Sequence, residues 1–391
     1  MHKNTRIFLH LSLIDGVGPG NIKKLYDVCG PDNFEAIYTY STSDFRHLGF
    51  SQETAQIVSD GLRDDLMLNR EILLIEKYGI SVMTYNDSCY PSLLKAIHNP
   101  PTILYVQGTI PEMPYAGIVG ARLGDEYGHS VVRSLVPDLV AAGVGIVSGG
   151  AAGIDAFAHQ ATLDAGGVTV VILGGGLLRP YPASNCPLFT QIVASGGAIV
   201  SSFPLQAQSL AWQFPARNRI IAGIAKVTIV VQAAKKSGAL ITAEYALQEG
   251  RSVCAVPGAI DNQLSVGCHN LIAQGARLVG SVQDILEECG WNAGVVPEAV
   301  AKDRVQVDFI QLPVLKPQKK RIVQEIQIGA HSQEPSQEIE NPLIHHCRRP
   351  IASSELSLIM GLSEDEIQQM LFELQLEGKI QQDFAGLWQK I

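Results

Sequence analysis

Two guanidinium groups and an amide stand close together in one apolar, glycine-rich stretch, Phe214-Pro215-Ala216-Arg217-Asn218-Arg219-Ile220-Ile221-Ala222-Gly223. A guanidinium presents a planar fork of donors, pairs bidentately with phosphate and does not lose its charge. Arg217 and Arg219 flanking Asn218 therefore predict an anion clamp at the start of an apolar helix. A short way downstream, Lys235 and Lys236 precede Ser237 and Gly238, which open another expected helix. The unpaired N–H groups and partial positive charge of a helix N-terminus favour the same kind of ligand.

A second set of candidates is rich in glycine: Gly120-Ala121-Arg122, Ser148-Gly149-Gly150-Ala151-Ala152-Gly153-Ile154-Asp155 and Gly174-Gly175-Gly176. The loop at 148–155 has no P-loop lysine, which argues against ATP hydrolysis, yet its backbone amides remain able to hold an anion. The first strand is not followed by a GxGxxG fingerprint with its acidic partner, so a dinucleotide site is not expected. Candidates for acid–base chemistry are few. Asp155 and His159 share a helix face by their i, i+4 spacing, but a first-turn carboxylate and a hydrogen-bonded histidine account for them without catalysis, as does a helical position for Glu244. No catalytic residue, cofactor or metal site is expected.

The elements that position these residues follow from the apolar pattern. From Ala116 onward, β-branched runs at Gly117–Val119, Val144–Val147, Val168–Leu173, Ala198–Val200, Val227–Val231, Val253–Val256 and Arg277–Val279 alternate with helical stretches. Such runs signal parallel strands buried on both faces, hence a doubly wound α/β sheet whose ligands lie beyond the carboxyl ends of the strands. Residues 81–108 read as two short strands between proline-punctuated loops, and residues 1–80 as helical. After Gly290 the composition turns to Gln, Glu, Pro and Lys, which predicts a linker over 291–341, and amphipathic periodicity returns over 342–391, where Ser363 and Glu366 form a capping box.

The 391 residues, 46% of them hydrophobic, suffice for a large core in two or three domains. No apolar run is long enough to span a bilayer and no signal-type core follows Met1, so a cytoplasmic protein with no membrane partner is expected. The seven cysteines lack CxxC spacing and read as free thiols. The net charge of −9 speaks against nucleic acid only on average: residues 116–280 carry +2 and the remainder −11, and a partner senses local potential.

Val119-Gly120-Ala121-Arg122, the 148–155 loop with Ala158-His159, Leu173-Gly174-Gly175-Gly176 with Tyr181-Pro182 and Asn185, the arginine segment, Ser237-Gly238 with Leu240-Ile241-Thr242-Ala243, and Ala255-Val256-Pro257-Gly258 occur in the order seen in the DprA/Smf family of natural transformation. The resemblance implies an extended Rossmann domain that binds single-stranded DNA without hydrolysing it, protects it from nucleases and loads RecA recombinase, acting as a homodimer. The DNA- or phosphate-binding set it implies is Gly120, Arg122, Ser148, Gly149, Gly150, Gly153, Gly174, Gly175, Arg217, Asn218, Arg219, Lys235, Lys236, Ser237 and Gly238. Ser12–Leu25, with its Gly-Val-Gly-Pro-Gly turn, resembles a helix-hairpin-helix motif in a SAM-like N-terminal domain, and the last fifty residues resemble a winged helix whose acidic second helix (Glu364, Asp365, Glu366, Glu373, Glu377) suits a protein contact better than DNA. The sequence departs from the family pattern where Ala152 and Ala216 replace Arg, Gln232 replaces Glu, and Ala183 stands near a position often basic; each lost cation should weaken phosphate contact. The alternative is a LOG-type nucleotide phosphoribohydrolase, whose Pro-Gly-Gly-x-Gly-Thr loop is absent here.

Overall fold

The computed structural model describes residues 1–291 and, further on, 343, 347, 351, 353–360, 367, 370–371, 374, 380–382 and 388–390. The chain divides into two compact units, 1–314 and 315–391. All but the first residue of the expected linker over 291–341, the capping box at Ser363 and the acidic residues of the last helix lie outside the described residues.

The first unit begins with five helices, α1 (Lys3–Ser12), α2 (Pro19–Cys29), α3 (Thr42–His47), α4 (Gln52–Gly61) and α5 (Leu66–Lys77). Their apolar faces enclose Ile7, Phe8, Leu11, Ile22, Leu25, Phe34 and Phe45 in a core of their own. Pro19 occupies the first turn of α2, where its missing N–H costs nothing. Ser41 and Asp44 close α3 with a capping box.

A nine-stranded sheet follows: β1 (Ser81–Thr84), β2 (Ile103–Gly108), β3 (Tyr115–Val119), β4 (Gly145–Ser148), β5 (Thr169–Ile172), β6 (Ala198–Ser201), β7 (Val227–Val230), β8 (Ser252–Ala255) and β9 (Arg277–Leu278), in the order β1-β2-β6-β5-β4-β3-β7-β8-β9. From β6 to β9 every neighbouring pair is parallel, while β1 and β2 extend the edge antiparallel. From the sequence, residues 81–108 carried two short strands with no pairing partner assigned. In the structure Tyr105 pairs with Ser201 and Gly108 with Ala198, so they join the main sheet. The helices between and beyond the strands are α6 (Ser92–Lys95), α7 (Glu126–Ala141), α8 (Ile154–Asp164), α9 (Cys186–Ala194), α10 (Gln213–Ile224), α11 (Gly238–Gln248), α12 (Val266–Ala273) and α13 (Val282–Cys289).

The central strands are buried along their length, and two apolar layers cover them. The chain leaves β3 toward β4, β5 and β6, then returns to the other side of β3 with β7, so the order reverses between β3 and β7. Loops diverge at such a reversal and leave a crevice at the carboxyl ends of the strands.

In the second unit, α14 (Ser353–Met360) and an antiparallel pair, β10 (Ile380–Gln382) with β11 (Trp388–Lys390), surround a small core of Leu343, Cys347, Leu356, Ile367, Leu371, Leu374 and Trp388.

Candidate nucleic-acid interface

At the carboxyl edge of the sheet a cleft of about 70 Å³ is lined by Arg122 after β3, Gly149, Ala151 and Ala152 after β4, Tyr181 and Pro182 after β5, and Phe214 and Arg217 of α10. Four segments far apart in sequence thus converge. The Arg122 guanidinium lies 5.3 Å and that of Arg217 5.8 Å from the Phe214 ring centroid, and Tyr181 meets the same ring edge-on at 6.1 Å. Both cations thus lie within cation–π range of one aromatic ring, and the Arg122 charge acts repulsively on Arg217.

Arg217 is only 5% exposed. Its Nη1 donates to the carbonyls of Gly149 and Ile172, and its Nε donates to Asn218 Oδ1 at 3.1 Å. Burial pushes its pKa down to about 10, with Asp155 acting in the opposite direction, and the group stays charged at neutral pH. Asp155, equally buried, accepts the Gly149 and Ala151 amides on Oδ2 at 3.1 and 3.4 Å. Burial raises the Asp155 pKa while Arg217 works to lower it. The two side chains therefore hold Gly149 through both of its backbone groups, Asp155 its N–H and Arg217 its C=O. Amides at Gly149 and Ala151 that the sequence offered to an anion are already taken.

Asp155 and His159 do not meet as an acid–base pair. His159 Nδ1 bonds Thr169 Oγ1 at 2.7 Å, and burial drives the ring down to about 3, so it is neutral. The glycines serve mainly close packing. A side chain at Gly149 would strike the Arg217 guanidinium, one at Gly120 would come within 2.6 Å of Ile154, and one at Gly150 within 2.7 Å of Val171. Gly174 and Gly175 accommodate Phe214 and Ser209 in the same way. Gly153, at φ +75°, caps α8 and sits against the carbonyl of Ala121. Ser148 is buried and donates to Ile118 O at 2.6 Å, so it ties β4 to β3.

The expected Arg217–Arg219 clamp is not formed. Successive helical residues differ by about 100° in direction, so positions two apart diverge. Arg217 lines the cleft, whereas Arg219 does not, and its charge acts on Tyr90 in the loop before α6. Asn218 lies between them and donates to Gly238 O at 3.3 Å, joining α10 to the α11 N-terminus. There Ser237 accepts the Ala239 amide, Gly238 has open space around it, and Lys235 and Lys236 are exposed.

One organising residue escaped the sequence reading. Asp125 caps α7 by accepting the Gly128 amide at 3.0 Å, and it also takes Gln232 Nε2 at 2.7 Å and Asn262 Nδ2 at 2.9 Å. The amide bond foremost, then these side chains, hold its pKa below the ordinary value. Loops after β3, β7 and β8 are thereby tied to one carboxylate. An acidic residue just before a helical run was the available signal. Gln232 is consequently an amide that complements Asp125, donating one hydrogen bond and accepting another from the Asp125 N–H at 3.2 Å.

A model of the DNA recombination-mediator protein A family matches residues 81–290, a little over half the chain and the whole of the sheet with its cleft. The chain belongs to this family. Protein Smf of Escherichia coli K12 is 42% identical over 212 residues, covering 54% of this chain and 57% of that one. Protein Smf of Synechocystis is 34% identical over 326 residues, 79% of each chain. DNA processing protein DprA of Streptococcus pneumoniae is 40% identical over 231 residues, 58% of this chain and 78% of its own, and its X-ray structure superposes with a TM-score of 0.64 across 74% of this chain and 99% of that one. Among the described residues no helix is long and apolar enough to cross a membrane.

Proposed function

We propose that this protein binds single-stranded DNA through the cleft at the ends of β3, β4 and β5, without hydrolysing it, and serves as a recombination mediator. The size and lining of the cleft carry the reading. Pockets that engulf small ligands run to about 300–1,000 Å³, so a cleft of about 70 Å³ suits a phosphate group at its mouth better than an engulfed nucleotide. Its lining offers Arg122 and Arg217 with two aromatic rings, and includes no carboxylate, imidazole or thiol to act as base or nucleophile. A strand passing over the edge can place one phosphate there and lay a base on an aromatic face, which a duplex with its bases stacked inside cannot do. Trp212, 63% exposed and edge-on to Phe203 at 5.7 Å, adds a further ring beside α10.

Family membership and the names of the relatives, DNA processing protein DprA among them, support DNA as the ligand. From the same resemblance come RecA recombinase as protein partner, protection and loading of the strand, a homodimer as the working form, and a cytoplasmic setting. The set Arg122, Arg217, Asn218, Arg219, Lys235, Lys236, Ser237 and Gly238, with the glycine loops as scaffold, is the proposed contact surface.

The test is binding of a fluorescent single-stranded oligonucleotide across a salt series, with duplex and AMP as competitors. Tight, salt-sensitive binding that neither competitor disturbs is expected. Displacement by AMP with negligible DNA binding would overturn the proposal in favour of a nucleotide pocket.

A further inference from the structure

We propose that a second stretch of the same DNA strand is held by a basic track that leaves the cleft over α10, crosses α6 and ends on α2, with Arg219, Lys95, Lys23 and Lys24 as its phosphate contacts. The inference rests on the DNA-binding reading of the cleft. It starts from two ammonium groups gathered on one ring: Lys95 Nζ lies 4.8 Å and Lys23 Nζ 5.7 Å from the centroid of the half-buried Tyr85. The two ammonium groups repel each other, and an anion beside them would offset that repulsion. Lys23 is partly neutralised by Asp27 at 2.7 Å, but Lys95 has no carboxylate within ion-pair distance among the described residues.

Two further acids are engaged by backbone amides and form no ion pair with Lys95: Asp87 accepts the Thr84 amide at 2.6 Å and Glu249 the His98 amide at 3.0 Å. Lys24, the next residue along α2, is exposed, with its Nζ on Gly49 O at 2.6 Å.

Continuity with the cleft comes from packing. Gly223 of α10 lies so close to α6 that a side chain there would meet Leu94 at 2.7 Å. Arg219, one turn back on that helix, keeps a buried Nε without a hydrogen-bond partner, and its charge reaches Tyr90, whose ring stands 6.0 Å from Tyr85. The hairpin before α2 carries the track onto that helix: its Val17, Asn21 and Ile22 N–H groups are spent on Ile14 O and Gly18 O, and Lys23 and Lys24 follow directly. Tyr85 supplies a ring on which an unpaired base can lie between phosphates.

A ladder of oligothymidylates from about 6 to about 30 nucleotides, spanning one to several contact sites, separates the two regions. For the full-length Lys23→Gln/Lys95→Gln double variant, we expect wild-type affinity on the shortest oligonucleotide and a loss of roughly fivefold to tenfold on the longest. The slope of log K against log salt should fall by about 1.4 on the long strand, at about 0.7 per lost contact. Lys95→Glu alone, on an exposed residue whose replacement leaves folding intact, should show the same pattern more strongly. Unchanged affinity and slope at every length, or equal loss at every length, would overturn the track while leaving the cleft standing. A wild-type protein that binds no oligonucleotide of any length would overturn the cleft reading and the track with it.

Discussion

Arg217→Ala is expected to cost stability before it costs affinity, because the side chain is a brace within the protein. Its Nη1 holds two carbonyls, those of Gly149 and Ile172. A hydrogen bond from a charged donor contributes about 1.5–3 kcal/mol; two are involved, and water from the cleft can reach part of the vacated space, so a loss of about 3 kcal/mol is expected. In a unit of this size that lowers the melting temperature by roughly 5 °C. The pH dependence makes the test specific. Burial already raises the Asp155 pKa above its ordinary 3.8, and Arg217 is the chief charge opposing the rise. Without it the folded carboxyl binds its proton still more tightly than the unfolded chain does. The deficit of the variant should therefore be widest at neutral pH and shrink as the pH falls toward 3.8. His159 moves the same way: it is held near 3 by burial and then by Arg217, and removing that charge lets the folded ring accept a proton more readily. Urea unfolding of both proteins from pH 8 downward measures the gap. A variant as stable as the wild type, or a deficit that does not change with pH, would refute the brace.

Three further outcomes follow from the site. Arg122→Ala, which removes a half-buried cleft cation whose side chain makes no hydrogen bond to the described residues, should leave stability within about 1 kcal/mol while lowering single-strand affinity evenly across sequences and the salt slope by about 0.7; a marked sequence preference would contradict a phosphate contact. Gln232→Glu sets a second carboxylate against Asp125, now 2.7 Å from the Gln232 amide nitrogen. It should destabilise by on the order of 1–2 kcal/mol at neutral pH, with recovery in acid as the pair shares a proton, which thermal melts at two pH values would read. Gly153→Ala meets the carbonyls of Ala121 and Arg122 from a backbone at φ +75°, so a loss of roughly 2–3 kcal/mol is expected, together with weaker DNA binding because Arg122 is displaced; an unchanged melting temperature would contradict the packing described.

The alternation of β-branched runs with helices made the sheet legible, since strands buried on both faces require continuous apolar sequence whatever their neighbours. Pairing of β1 and β2 with its edge was not legible, because register between distant segments leaves no local mark. The glycines were legible as places where a side chain cannot stand, but not as to what fills the space. At Gly149 it is the Arg217 guanidinium and at Gly120 the Ile154 side chain, where a ligand had been expected. The divergence of Arg217 from Arg219 was available in the helical period itself, and their adjacency in sequence obscured it. Asp125 went unread because its partners, Gln232 and Asn262, lie on other loops and only the fold collects them.

The cleft alone offers little charge to a strand. Ala152 and Ala183 are exposed at its rim and Ala216 is half-buried in the first turns of α10, three places where a cation would have reached a phosphate. Of the arginines that remain, Arg217 has committed its Nη1 and Nε to Gly149, Ile172 and Asn218, which leaves Arg122 as the cleft cation most open to a ligand. Because counterion release scales with the number of phosphates neutralised, a protein with so few cations at its mouth must recover affinity along the strand or bind weakly. Lys235 and Lys236 at the α11 N-terminus, and Arg219 with the lysines around Tyr85, lie along surfaces adjoining α10. Affinity that rises steeply with oligonucleotide length, from a feeble start, is therefore the behaviour this distribution of charge demands; a full-strength interaction with the shortest strand would place the binding energy in the cleft and deny the need for any track.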